Sequence, residues 1–207
     1  HLKLLIIKNE GLDRVDKQDN YPLHYAVVGK QKEIIKEIVS QKAFLNVKNK
    51  QGMTPLHLTA QFNYPEIAGI LIKGGGDPNE VDNSGKTVLH YAASMGDYKL
   101  VGLLCSFGAI PSAKDYTQQT ALHLAATIGS VKTLKSLMKN GALFGSTDIL
   151  DRTPLYNAVY NNHEECVKHL FESGADINIV SSNRHSPLSF AKKHKLKNIL
   201  KLFGYDE

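Results

Sequence analysis

The chain has 207 residues, 42% hydrophobic and 22% charged, with 25 Lys and Arg against 20 Asp and Glu for a formal charge of +5. That balance belongs to a folded domain and excludes a fibrous or disordered chain. The longest unbroken apolar run, Leu4 to Ile7, is far too short to span a bilayer, and no signal-peptide pattern opens the sequence.

Residues 1–15 carry Leu2, Leu4, Leu5, Ile6 and Ile7 ahead of Lys8-Asn9-Glu10-Gly11, and read as the second helix and closing turn of a partial unit that continues a longer chain. From there one tetrad recurs: Tyr21-Pro22-Leu23-His24, Thr54-Pro55-Leu56-His57, Thr87-Val88-Leu89-His90, Thr120-Ala121-Leu122-His123, Thr153-Pro154-Leu155-Tyr156 and Ser186-Pro187-Leu188-Ser189. Each copy starts 33 residues after the last, with no insertion, so a repeat architecture is considered before any single motif. The units run 16–48, 49–81, 82–114, 115–147 and 148–180, and a capping unit follows at 181–207.

The tetrad is a helix start. Thr or Ser offers a side-chain oxygen to a free amide of the first turn, Pro has a preset φ and no amide to leave unpaired, and His can reach back as a capping-box residue does. Counting from the tetrad's first residue, a small residue stands at +5 (Ala26, Thr59, Ala92, Ala125, Ala158, Ala191) and apolar residues at +13, +14 and +17, as in Leu100, Val101 and Leu104. Gly75-Gly76, Gly108-Ala109, Gly141-Ala142 and Gly174-Ala175 close the second helix where a left-handed residue is needed. Each unit is thus a short helix, a tight turn, a second helix and a hairpin-like connection. The last unit is apolar along Leu196, Ile199, Leu200 and Leu202 and basic at Lys192, Lys193, Lys195, Lys197 and Lys201, the two-faced pattern of an end cap.

Read over Asn49 to Ala60, Asp82 to Ala93 and Asp148 to Val159, with the Gly-Ala pairs one helix later, the pattern resembles the ankyrin repeat family across nearly the whole chain. The resemblance implies an all-α solenoid of stacked helix-turn-helix units joined by β-hairpin-like loops. Departures are local: Lys42-Ala43 where Gly-Ala is expected, Gly145 in place of Asn, and Lys192 for the second Ala.

No catalytic or metal-binding pattern emerges, and neither an enzyme nor a cofactor is expected. Four of the nine histidines, His24, His57, His90 and His123, sit one per unit down the stack and are accounted for by capping. His163, Cys166 and His169 have a spacing that suggests metal ligands, but Cys166 falls on a core position and the two histidines diverge around the helix axis. Gly74-Gly75-Gly76 follows a helix, whereas a phosphate cradle precedes one. Cys105 and Cys166 stand at apolar positions of second helices, which predicts buried free thiols and an intracellular protein, cytoplasmic or nuclear.

What the resemblance implies about binding is a protein held by hairpin tips and the exposed side of the first helices, at offsets −4, −3, −1, +7 and +8, which line a concave groove. Lys50, Met53, Phe62, Lys86, Met95, Tyr116, Ile128, Ile149, Leu150, Arg152 and Tyr160 are the candidate partner-binding residues there. The flanking units supply Lys17, His185, Lys193 and His194 among others, and none of the thirty positions (five in each of six units) is Asp or Glu. A groove apolar in the middle and basic at its rim predicts an acidic segment with hydrophobic anchors, bound by a monomeric scaffold or adaptor. Two other readings stand beside it: the regulatory or targeting part of a larger enzyme or channel, and a binder of nucleic acid or anionic membrane through its lysines. Nucleic acid is disfavoured, because only Arg14, Arg152 and Arg184 are arginines and no basic run is interleaved with stacking aromatics.

Overall fold

The computed structural model describes residues 11–42 and 44–205, so most of the partial unit expected over residues 1–15, and Ala43, lie outside the described residues. Among the described residues there are twelve helices, paired unit by unit: α1 Pro22–Val28 and α2 Lys32–Ser40; α3 Pro55–Gln61 and α4 Pro65–Lys73; α5 Val88–Ser94 and α6 Tyr98–Ser106. They continue with α7 Ala121–Ile128 and α8 Val131–Lys139; α9 Pro154–Tyr160 and α10 Glu164–Glu172; α11 Pro187–Lys193 and α12 Lys197–Leu202. None is long and apolar enough to cross a membrane.

Helices this short are marginal alone, so packing must hold them. First helices pack on the first helices of adjacent units, second helices on second, and each pair on itself. The repeated offsets explain this arrangement. Residues at +5 are wholly buried at Ala26, Thr59, Ala92, Ala125, Ala158 and Ala191, where a small side chain lets neighbouring helices approach. Ile35 and Ile38, Leu100, Val101 and Leu104, and Leu134 and Leu137 carry the core along the second helices.

Left-handed residues at recurring positions set the turns. Those at +9 divide the helices (Lys30, Asn63, Gly96, Gly129, Asn162, Lys195), and those at +21 follow the second helix (Lys42, Gly75, Gly108, Gly141, Gly174). Lys42 adopts the conformation at φ 52° although glycine is expected there, but Phe44 is left-handed too, at φ 60°, unlike its counterparts Asp77, Ile110, Leu143 and Asp176, so the chain leaves this turn differently.

A side chain from three successive second-helix loops also ties neighbouring units. Asn46 Oδ1 accepts from the Asp77 amide at 2.8 Å, Asn79 Oδ1 from the Ile110 amide at 2.9 Å, and Ser112 Oγ from the Leu143 amide at 3.0 Å. Asn79 Nδ2 donates as well, to the Gly108 carbonyl at 2.9 Å. Gly145, next in this series, has no side chain to offer. Its backbone is not left-handed, and a Cβ there meets nothing within 4 Å. Gly145→Asn is therefore expected to stabilise the chain by about 1–2 kcal/mol through two new bonds and a less flexible unfolded state. In a calorimetric melt that is a rise of about 3–6 °C, and an unchanged or lower midpoint contradicts it.

Candidate functional site

Each hairpin tip is built by the residue that opens its unit. Oδ1 of Asp16, Asn49, Asp82, Asp115 and Asp148 accepts from the amides two and four residues on, at 2.8–3.0 Å, folding the tip around a side chain. Ser181 does this differently, donating Oγ–H to the His185 carbonyl. Tips then join in a ladder: the amides of Lys50, Asn83, Tyr116, Ile149 and Ser182 donate to the carbonyls of Gln18, Gln51, Ser84, Thr117 and Leu150. With their backbone groups committed to one another, the tips present mainly side chains to a partner.

The histidines do more than cap. Nδ1 accepts from the backbone N–H of Tyr21, Thr54, Thr87 and Thr120 at 3.1–3.2 Å, which closes the first turn as expected. Nε2–H donates 29 residues onward, from His24, His57, His90 and His123 to the carbonyls of Met53, Lys86, Gln119 and Arg152 at 2.9–3.0 Å. Those partners fix the neutral Nε2–H tautomer. Burial pushes all four imidazoles below their ordinary range, only partly opposed by the carbonyl each one faces. In the fifth unit Tyr156 replaces the histidine, and its hydroxyl accepts from Asn183 Nδ2 at 3.0 Å, a different clip between the same kinds of neighbours.

Ten of the eleven candidate binding residues lie at least partly exposed, and the eleventh, Met53, is corrected. Phe62 (44%), Met95, Ile128 and Tyr160 (59%) form a line on consecutive first helices, while Tyr116 (68%), Ile149 and Leu150 crown the tips. Lys50 is exposed and Lys86 half-buried. Met53 is 5% exposed and belongs to the core: its amide is held by Asn49 and its carbonyl by His24, which turns the side chain inward. Arg152 is not a free rim cation, because Nε and Nη2 bind Asp148 Oδ2 at 2.8 and 2.7 Å. Burial works to raise the Asp148 carboxyl, but the bonds from Arg152 and from the tip amides outweigh it and hold it below its usual range. Tyr116 lies across Gly85 of the preceding tip, where a Cβ would stand 2.5 Å from its ring. Asp19 and Asp151 share the left-handed tip position with Gly52, Gly85 and Gln118, so the three middle tips carry no negative charge at that position.

One group was missed by the sequence reading. Phe190, at +4 of the last unit, packs on Tyr160 at 5.2 Å and Tyr156 at 5.8 Å, stacks on His194 at 4.1 Å and meets the edge of His185. The signal was present at +4, where Tyr25 and Tyr91 are also aromatic.

The residues once considered for a metal do other work. His163 Nε2–H donates to the Thr127 carbonyl at 2.9 Å, and Cys166 is buried, its thiol pushed up to about 11 by desolvation and by Glu165. Cys105 is only half-buried, short of the burial expected for it, and both thiols are unbridged. A family model described as ankyrin repeats (3 copies) matches residues 1–82, 60–148, 108–181 and 143–206. A comparison with curated proteins gives no match.

Proposed function

The chain belongs to the ankyrin repeat family, and from that premise we propose a non-enzymatic recognition module whose tips and first helices hold an acidic protein segment carrying hydrophobic anchors. Ankyrin repeats are generally protein–protein interaction modules, so a protein partner is the coarse part of this reading. The finer part rests on one observation. Phe62, Met95, Ile128 and Tyr160 expose apolar surface on four consecutive units, at positions where solvation alone gives no reason for it, beside middle tips whose aspartates, Asp82 and Asp115, are buried and whose left-handed position carries no acid. Lys50, Lys86 and Lys193 flank that line, and steering by them favours a negatively charged segment. A monomeric, intracellular scaffold or adaptor is the setting we propose.

Selection of peptides from a random displayed library tests it. The expected result is enrichment of Asp and Glu around two or more apolar residues. A Phe62→Glu, Tyr116→Glu, Tyr160→Glu variant, shown to be folded by circular dichroism, should bind the selected peptides at least about 100-fold more weakly, since buried aromatic anchors dominate such interfaces. Selection of basic peptides, or equal binding by the variant, rejects the reading.

The anionic-surface reading is favoured by a separate observation on the second helices. Lys99, Lys135 and Lys139 of α6 and α8 are in no ion pair among the described residues, and Lys132 sits over the Tyr98 ring. If that face binds duplex DNA, affinity falls steeply with salt and is indifferent to sequence. Affinity that is flat with salt removes it.

A further inference from the structure

The loops that follow the second helices form a row of their own, one per unit, outside the set of groove residues described above. Position +23 in this row is Asp77, Ile110, Leu143 and Asp176 in the second to fifth units. The residue two places on in one loop fastens the next loop: Asn79 Oδ1 takes the amide of Ile110 at 2.9 Å, and Ser112 Oγ takes that of Leu143 at 3.0 Å. Asp77, Ile110 and Leu143 therefore stand side by side along the stack. Asp176 holds the same place in the fifth unit, and it folds its loop as Asp77 does, each Oδ1 accepting from the amide two residues on at 2.8 Å.

The row is apolar in the middle and acidic at both ends. Ile110 is 55% exposed and Leu143 63%, and Phe107, in the turn that leads to Ile110, is 44% exposed. Large apolar side chains grouped on a surface in this way mark an interaction site. Asp77 and Asp176 are exposed too, and neither is in an ion pair among the described residues. Their charge is opposite to that of the lysines beside the groove, and it suits a segment with two apolar residues between two cations. Spacing narrows the choice of segment. Packed helices lie about 8–10 Å apart, so one residue per unit gives a row of that pitch. A polyproline-II chain turns once in three residues and rises about 9 Å in doing so, which brings every third side chain to the same side in step with the units. A β-strand, which returns to one face every second residue at about 7 Å, falls out of step. We propose that this row binds a proline-rich segment in the polyproline-II conformation, reading Lys or Arg, apolar, apolar, Lys or Arg, each three residues after the last. Its prolines preset the bound shape and lower the cost of ordering it.

The test uses the labelled decapeptide KPPLPPLPPK, followed by fluorescence anisotropy. KPPLPLPPPK has the same composition with its leucines two residues apart, and EPPLPPLPPE reverses the charge of the ends. Saturable binding of the first peptide is expected, with both comparison peptides at least about tenfold weaker. An Ile110→Glu, Leu143→Glu variant, shown to be folded by circular dichroism, should lose at least about tenfold in affinity, because the two positions are solvent-facing and supply the apolar contact. The Phe62→Glu, Tyr116→Glu, Tyr160→Glu variant should bind the peptide as the parent does. No saturable binding up to about 1 mM, equal affinity for either comparison peptide, or undiminished binding by the Ile110→Glu, Leu143→Glu variant overturns the proposal. So does binding that is lost with the groove variant. A basic peptide that keeps its affinity for the groove variant and loses it with Ile110→Glu, Leu143→Glu is a ligand of this row and bears on it alone, so the two surfaces stand or fall separately.

Discussion

Between pH 7 and pH 5 the chain loses stability through its four clip histidines, faster than its carboxylates alone allow. His24, His57, His90 and His123 are held neutral in the folded chain, with their proton affinity pushed below the usual value near 6.5 chiefly by burial. In the unfolded chain they protonate at that usual value. The stabilisation is therefore complete above about pH 6.5 and is lost as pH falls through it toward the lower folded-state values. The limiting slope is about 1.4 kcal/mol per pH unit for each histidine, and all four act in the same direction. Asp82 and Asp148 work in a separate window. Burial opposes their ionisation, but hydrogen bonds hold both below the usual 3.8, so their contribution is lost only in stronger acid. Urea midpoints measured at half-unit pH intervals check this, with His90→Gln beside the parent. The variant starts less stable, because the Gln119 carbonyl loses its donor, and its pH slope is shallower by about a quarter. A parent whose stability is flat from pH 7 to 5, or a variant with an undiminished slope, refutes the account.

Leu122→Ala is expected to cost roughly 2–5 kcal/mol and to divide the unfolding of the chain in two. Leu122 is wholly buried at the middle of the stack, at the tetrad position shared by Leu23, Leu56, Leu89 and Leu155. Its helix α7 packs chiefly on its own partner α8 and on the first helices on either side, α5 and α9, so the cavity weakens the coupling on which the two halves depend. In a linear array stability is the sum of unit and nearest-neighbour contributions, so weakening a central junction costs cooperativity as well as energy. Two resolved transitions in urea, followed by circular dichroism and by tyrosine fluorescence, are the expected outcome. A single transition displaced by less than about 1 kcal/mol would show that α7 is not a coupling element.

The sequence carried the fold because its period is unbroken. Each tetrad announces a helix start, and the small residue at +5 and the apolar residues at +13, +14 and +17 land in the core, with Ile34 half-buried against it. What it concealed are relations between units. The reach of a histidine Nε2 to a carbonyl 29 residues away depends on a stacking distance that no local pattern encodes. Met53 illustrates the same limit: an apolar residue at a nominally exposed offset turns inward because two neighbours fix its backbone. The Arg152 pairing was accessible, since Asp148 lies four residues before it, and so was Phe190, had the aromatic pattern of Tyr25, Tyr91 and Phe190 been followed.

The clips between units all have a direction. A histidine gives its proton forward to the next unit's carbonyl, and a tip amide gives its proton backward to the preceding tip. The front and back of a unit are therefore unlike and mutually complementary, related by translation along the stack and by no two-fold axis. Gene segments encoding whole multiples of 33 residues can be duplicated or removed with the backbone ladder of the tips still in register. A gain or loss of any other length within a unit would set donor against core and carbonyl against carbonyl. The register of the chain thus limits its evolution to steps of one unit, and it gives an engineer the places to cut.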